Sequence, residues 1–321
     1  NFLASSFPKG IDSNKVLTKD NRELILNLSF IYDIDAMTSG LQKSDLIILA
    51  ARPSMGKTAF ALNIACNVAR HNDREVCIFS LEMPVEALTR RMIAGRANIN
   101  TWRLNRNLCS KSEKQALMQN LFQAAGDLKD APIYVDDAAG LDVMDLRARA
   151  RRAKKQYGIE LIVIDYLQLC TCREAARQGS RQIEVGMISQ QIKAMAKELK
   201  IPVIVLSQLS RANEQRGDKF ERPKLSDLRD SGAIEQDADV VFLLRRPSRN
   251  AADPESNDET LAIIDVAKNR NGETGEVRVN FVREYTRFFD REIPRSEDSN
   301  FQTSEPPPEH YSQECFEDPN M

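Results

Sequence analysis

The sequence predicts an α/β protein with a mostly parallel central sheet flanked by helices and an antiparallel extension. Three observations predict it. Apolar runs of four to six residues recur without polar interruption, as in strands buried on both faces. Segments with apolar residues at helical spacing separate them, the alternation of βαβ crossovers. The last two runs flank Asn271-Gly272, a turn pair that joins antiparallel strands.

The elements follow in order. Residues 1–45 are mixed and polar, with a turn at Pro8-Lys9-Gly10, and read as a linker with room for a short helix near Asn21–Leu28. Leu46–Ala50 is a short apolar strand. Ala59–Ala69 is a helix with Phe60, Ala61, Ile64, Ala65 and Val68 on one face. Val76–Ser80 is strand-like, Ala87–Ala97 and Lys114–Leu128 are helical, and Ile133–Val135 is strand-like. Val143–Tyr157 is a helix and Leu161–Asp165 a continuous apolar strand. Val185, Ile188, Ile192, Met195 and Leu199 repeat at helical spacing. Val203–Ser207, Val240–Leu244, Leu261–Ala267 and Val277–Phe281 complete the strands. From Ser296 the chain is acidic, holds Pro306-Pro307-Pro308 and offers few core residues, so a disordered tail is expected. The expected division is a linker at 1–37, a folded body at 38–292 and the tail at 293–321.

Composition narrows the function. The 321 residues are 42% hydrophobic, enough for one large core or two modest ones. No apolar run is long enough to span a membrane. The chain opens Asn1-Phe2-Leu3 without Met, which points to a trimmed chain or an excised domain, and no secretory leader is readable. Cys66 and Cys77 lie in apolar segments, and Cys170-Thr171-Cys172 has no second pair to complete a zinc site. Only His71 and His310 are present, which argues against a catalytic His base. This usage fits reduced thiols and a cytoplasmic location. The net charge is −2, but residues 296–321 hold seven acids and no Lys or Arg. The rest carries 45 basic against 40 acidic residues, a mildly basic body that permits nucleic-acid contact without demonstrating it. The basic residues between Leu146 and Tyr157 read first as a solvated helix face, with DNA contact the lesser alternative.

The chemistry concentrates at Ala51-Arg52-Pro53-Ser54-Met55-Gly56-Lys57-Thr58, between a strand and an amphipathic helix. This is the context of a P-loop, whose backbone N–H groups wrap a phosphate at a helix N-terminus. Gly56 permits close approach, Lys57 reaches the β- and γ-phosphates, and Thr58 offers a hydroxyl to Mg²⁺. Ala51 stands where glycine is usual, so the loop is expected to start with a less permissive backbone. Asp165, closing a buried strand, is the candidate to hold Mg²⁺ through water. No Glu follows it. Glu82, after the strand ending at Ser80, is the candidate to orient the attacking water, against a reading as a helix-start residue before Pro84. Gln208, ending another strand on the same edge, is placed to sense the γ-phosphate, against a reading as a loop cap.

Several phrases then resemble one family. They are Ala-Ala-Arg-Pro-Ser-Met-Gly-Lys-Thr (50–58), Phe-Ser-Leu-Glu-Met-Pro (79–84), Ile-Asp-Tyr-Leu-Gln-Leu (164–169) and Ser-Gln-Leu-Ser-Arg (207–211), with Asp-Leu-Arg-Asp-Ser-Gly-Ala-Ile-Glu-Gln-Asp-Ala-Asp (227–239) and Lys-Asn-Arg-Asn-Gly (268–272). They look like the C-terminal motor domain of the DnaB family of bacterial replicative helicases, over roughly Thr38–Phe289. The resemblance implies a RecA-like P-loop NTPase fold in a homo-oligomeric six-membered ring. It implies 5′→3′ translocation on single-stranded DNA, with ATP and Mg²⁺ bound between neighbours. By the same resemblance Lys268 and Arg270 reach into the next subunit's nucleotide, and Arg229, Asp230 and Gly232 meet the DNA backbone. Asp230 stands where Glu is common, which shortens its reach. The segment Cys172–Gln182 reads equally as a second channel loop or a solvated connector. Primase and a helicase loader are implied as partners through regions absent from this chain. The stretch around Phe30-Ile31-Tyr32 departs from the family's usual lead-in.

Two other readings share the core. One is a RecA-type recombinase or clock-type ATPase, against which Ser-Leu-Glu-Met-Pro and the late Lys-x-Arg speak. The other is an ATP-dependent single-strand-binding module that does not unwind, which a forked-duplex assay separates.

Overall fold

The strands lie where the apolar runs place them. In the computed structural model the residues described are 31–71, 73–100, 111–176, 180–209, 222–228 and 232–291. The helix expected near Asn21–Leu28, the acidic tail, Gly179, Arg229 and Asp230 lie outside them.

The first half of the chain runs α1 (Tyr32–Thr38), β1 (Leu46–Ala51), α2 (Lys57–His71), β2 (Val76–Ser80), α3 (Val85–Ala97), α4 (Lys111–Lys129), β3 (Ile133–Asp136) and α5 (Val143–Tyr157). The second runs β4 (Leu161–Asp165), α6 (Arg173–Ala176), α7 (Arg181–Leu199), β5 (Val203–Gln208), α8 (Gly232–Asp237), β6 (Val240–Arg245), β7 (Leu261–Asn269), β8 (Gly275–Val282) and β9 (Arg287–Asp290). The strands form one sheet in the order β3-β2-β4-β5-β1-β6-β7-β8-β9. Pairing is parallel from β3 through β6 and antiparallel from β6 to β9. The parallel centre and antiparallel extension are therefore as expected.

Burial explains the unbroken apolar strands. Along β1, Ile47, Leu49 and Ala51 face one core with α2, while Leu46, Ile48 and Ala50 face the other with α7. Alternate side chains point to opposite faces, so a strand covered on both sides must be apolar throughout. Phe60, Ala61, Ile64, Ala65 and Val68 of α2 are all buried. Phe60 alone, with 0% exposure, contributes about 2–3 kcal/mol. Among the described residues no helix is long and apolar enough to cross a membrane.

Two expectations need correction. Residues 31–37 are not linker: α1 begins at Tyr32, and Ile31 and Ile34 are buried in the core facing α2. Tyr32 N donates to Asp290 Oδ1 (3.1 Å), and Asn269 Nδ2 donates to Met37 O (3.0 Å). The body thus starts by residue 31. The two turns of this helix, set among polar residues, were too brief to show a period. The second correction is β9, which pairs with β8 and which the apolar runs did not reveal. Only Phe288 and Phe289 are apolar in it, and the edge of the sheet demands little more.

Candidate active site

β1 ends at Ala51 and α2 starts at Lys57, so Arg52–Gly56 is the intervening loop. Ala51 still belongs to the strand, paired with Gln208 of β5 and Leu244 of β6. The absent glycine therefore does not constrain the loop, because extended backbone suits alanine. The positive φ angles fall later, at Ser54 (66°) and Gly56 (103°). Gly56 is required twice over, since a Cβ there would also lie 3.2 Å from Phe288 Cζ. Phe288 packs on Phe281 (4.5 Å between centroids) and edge-on to Phe60 (5.1 Å), forming an aromatic shelf beneath the loop. Met55 packs against the core rather than facing the cleft.

Thr58 Oγ1 donates to Asp165 Oδ2 (2.8 Å), joining the start of α2 to the end of β4. Asp165 is 2% exposed, and its Oδ1 has no hydrogen-bond partner. Its carbonyl accepts from Leu81 N (2.7 Å), and Ser80 Oγ donates to Met83 O (2.6 Å). These two bonds fix the turn that carries Glu82 beside β4, although β2 is separated from β1 by β4 and β5. Glu82 precedes α3, whose cap is Pro84, and it lines the same cleft as the P-loop rather than serving the helix. Gln208 closes β5 in this cleft. Its backbone N donates to Gln168 Oε1 (3.4 Å), and Gln168 Nε2 donates to Ser207 Oγ (2.9 Å).

The cleft measures about 510 Å³. Its lining includes Arg52, Lys57, Arg91, Arg246, Arg249 and Arg283 against the single acid Glu82. That balance suits a polyanion such as a triphosphate. Burial lowers the Lys57 pKa, opposed by Asp165 and Glu82. Burial raises the Asp165 pKa, opposed by the Thr58 hydrogen bond and then by Lys57. Each charged form thus lacks the solvation it would have in water, which phosphate near Lys57 and a cation near Asp165 would replace. The Lys57 ammonium lies 4.6 Å from the Tyr166 ring centroid. A larger groove of about 1070 Å³ along β3 and α5 has no phosphate-binding loop.

Sequence reasoning missed the arginines that follow β6 and line the same cleft. Arg246, 5% exposed, places its guanidinium 4.4 Å over the Phe281 ring. Burial lowers its pKa, helped by Arg249 and Arg283. The available signal was Arg245-Arg246 directly after an apolar strand whose carboxyl end shares this edge. Gln168 was likewise legible as a polar residue just past a strand end, but its partner on β5 was not.

Lys268 and Arg270 lie elsewhere. β7 runs antiparallel, so Lys268 pairs with Val241 near the start of β6, and Val241 pairs in turn with Ile48. Ala51 lies three residues further along β1, about 10 Å at the usual strand rise. The pair therefore sits towards the amino edge of the parallel strands, and neither residue lines the chain's own cleft. Lys268 Nζ donates to Glu235 O (2.6 Å), and Arg270 donates to Gln236 O (2.6 Å) and pairs with Asp239 (3.4 Å). Gly232, the described member of the DNA-contact trio, is exposed at the start of α8.

Several described residues of the other basic segments have partners within the fold. Arg147 and Arg151 bond Glu198 on α7 (2.7 and 2.8 Å), and Arg149 pairs with Asp136 (2.9 Å). This fits the reading of α5 as a solvated face. In the Cys172–Gln182 segment, Cys172 N donates to Glu184 (3.0 Å) and Arg173 N to Asp142 (2.9 Å), with the short α6 following.

The model of the DnaB-like helicase C-terminal domain matches residues 28–290. The replicative DNA helicase DnaB of Geobacillus stearothermophilus is 46% identical over 292 residues, covering 88% of this chain and 62% of that protein. The replicative DNA helicase DnaC of Bacillus subtilis (strain 168) is 47% identical over 260 residues, 81% of this chain and 55% of that protein. The chain thus spans about 60% of the length of these relatives. The solved ATPase domain of G40P superposes with a TM-score of 0.75 at 38% identity, covering 84% of this chain and 93% of that one. A DnaB-like replicative helicase, solved in a study of its interactions with primase, gives 0.75 at 36%, covering 85% and 64%. On a family match over most of its length and a shared α/β, RecA-like architecture, the chain belongs to the family of DnaB-like helicase C-terminal domains.

Proposed function

We propose that this chain is the ATP-driven motor of a replicative DNA helicase, translocating 5′→3′ on single-stranded DNA and hydrolysing ATP between subunits of a six-membered ring. The observation that supports this reading is that the candidate residues stand on two edges of one sheet. The P-loop, Glu82 and Gln208 line one cleft, with the buried Asp165 bonded to Thr58 behind it, while Lys268 and Arg270 stand towards the opposite edge. A site so divided is completed by a second copy of the chain.

In this reading the loop from Ala51 to Thr58 binds the triphosphate through backbone N–H groups, and Lys57 neutralises its β- and γ-oxygens. Thr58 and Asp165 would hold Mg²⁺; the unpartnered Asp165 Oδ1 suits a ligand water, and the ion would neutralise charge on the phosphates. Glu82 orients the attacking water. Gln208, braced by Gln168, senses the γ-phosphate. Lys268 and Arg270 from the neighbour stabilise charge on the transferred phosphoryl group. Arg229, Asp230 and Gly232 contact the DNA backbone without reading sequence, as a processive motor requires. Primase and a helicase loader are partners of this motor, which works in the cytoplasm.

The test is unwinding of a forked duplex together with ATP turnover. Lys57→Ala should abolish both. Arg270→Ala should spare nucleotide binding and lower turnover, and mixing it with Lys57→Ala subunits should restore part of it. Unchanged turnover in Lys57→Ala sinks the P-loop assignment. Failure to complement in a confirmed mixed ring sinks action between subunits. DNA-stimulated turnover with no strand displacement at any concentration reduces the chain to a translocase or binding module.

A further inference from the structure

We propose that Asp239 is the positioning residue for Arg270, an anchor that holds its guanidinium at the subunit face from which it serves a neighbour's nucleotide. The inference rests on the reading of Arg270 given above. Asp239 lies between α8 and β6, at the amino edge of the sheet, with its side chain 7% exposed. Its two oxygens are divided. Oδ2 accepts from Leu46 N of β1 (2.8 Å) and from Lys193 of α7. Oδ1 faces the Arg270 guanidinium (3.4 Å), and the Asp239 carbonyl accepts from Arg270 N (3.0 Å). The carboxylate is therefore locked to two elements of the core and cannot follow Arg270 outward. Arg270, by contrast, is 49% exposed. One side of its guanidinium is held by Asp239 and Gln236 O, and the remaining donors are available to a phosphate.

The surroundings reinforce the anchor. Lys193 also donates to Ser44 O (2.8 Å), so the cation that shares Asp239 is itself fixed. Asp45 stands in the same cluster, which thus sets two carboxylates against Lys193 and Arg270. Burial, and then Asp239, push the Asp45 carboxyl up to about 6. Moving Arg270 away would leave both carboxylates to Lys193 alone, so the cluster favours its return. α8 adds a second constraint. Its last carbonyls hold both Lys268 and Arg270, and it packs so closely on α7 that a Cβ on Gly186 would lie 3.2 Å from Ala233 Cβ.

The test is a double-mutant cycle on the full chain, assembled with single-stranded DNA. Asp239→Asn should lower kcat about tenfold while leaving the KM for ATP within about twofold. In the Arg270→Ala background the same change should alter kcat by less than about twofold. Mixing Asp239→Asn with Lys57→Ala subunits should recover turnover, because an intact P-loop then meets an intact Arg270. A purely structural defect would act on its own P-loop and would not be rescued. Should Asp239→Asn fail to assemble, Lys193→Gln keeps Asp239 but frees it from α7, and should give the same kcat loss and the same insensitivity in Arg270→Ala. Equal losses in both backgrounds, no loss at all, or no rescue on mixing overturns the proposal. If Arg270→Ala itself turns over normally, the reading of Arg270 falls and this inference with it.

Discussion

Replacing Gly56 by alanine tests how the P-loop is held. The residue sits at φ 103°, where an L side chain costs about 1–2 kcal/mol. Its new methyl would also meet Phe288 Cζ at 3.2 Å, with Phe281 behind at 3.5 Å. Phe288 cannot yield easily, because Phe60 and Phe281 pack against it. Overpacking of this kind adds about 1–3 kcal/mol, for a total of about 2–5 kcal/mol. Gly140 is the matched control: its φ is also positive, at 63°, but nothing lies within 4 Å of its Cβ position. Gly140→Ala should therefore show the backbone cost alone. The assay is urea unfolding of nucleotide-free protein. At a slope of about 3 kcal/mol/M, each kcal/mol moves the midpoint by about 0.3 M. Gly56→Ala should fall below Gly140→Ala by about 0.3–1 M. Adding Phe288→Leu should recover part of the difference by giving the methyl room. Coincident midpoints for the two alanine variants would refute the aromatic shelf as the support of the loop.

Three further outcomes follow from the same geometry. Ala51→Gly, which restores the usual loop residue, should destabilise by about 0.5–1.5 kcal/mol and leave nucleotide affinity unchanged, since position 51 is buried strand; tighter binding in a nucleotide titration would contradict this. Asp165→Asn should keep nucleotide binding but remove its Mg²⁺ dependence and cut turnover about 100-fold or more, read from a Mg²⁺ titration; an unaltered Mg²⁺ response would remove Asp165 from the metal site. Asp45 carries a raised pKa of about 6, so the folded state binds its proton more tightly than the unfolded state does. Stability is thus lost as pH rises from about 4 to about 6 and stays lower above. Asp45→Asn should then be more stable than the parent by about 1–3 kcal/mol at pH about 7.5 and equal to it below pH about 4, in unfolding curves at several pH values. A difference that does not vary with pH would show that Asp45 is not titrating.

Much of the molecule was legible because its signals are local. β2, α5 and β4 begin and end at the residues expected from apolar period alone. The P-loop is a contiguous phrase, and Asp165 and Glu82 follow the rule that strand ends converge on one edge of a parallel sheet. Other features depend on residues far apart in the chain. Phe288 supports Gly56, Gln168 braces the end of β5, Arg246 covers Phe281 and Asp239 anchors Arg270. No spacing in the sequence marks such pairs, because the order of strands in the sheet brings them together. β9 and α1 were hidden for a related reason, each being too short to show a period and held by contacts with the completed body. The sequence by itself determined the class of fold and the phosphate chemistry, which rest on burial pattern and a local loop. Only the tertiary structure decided where Lys268 and Arg270 stand, because the antiparallel course of β7 carries them away from the P-loop of their own chain.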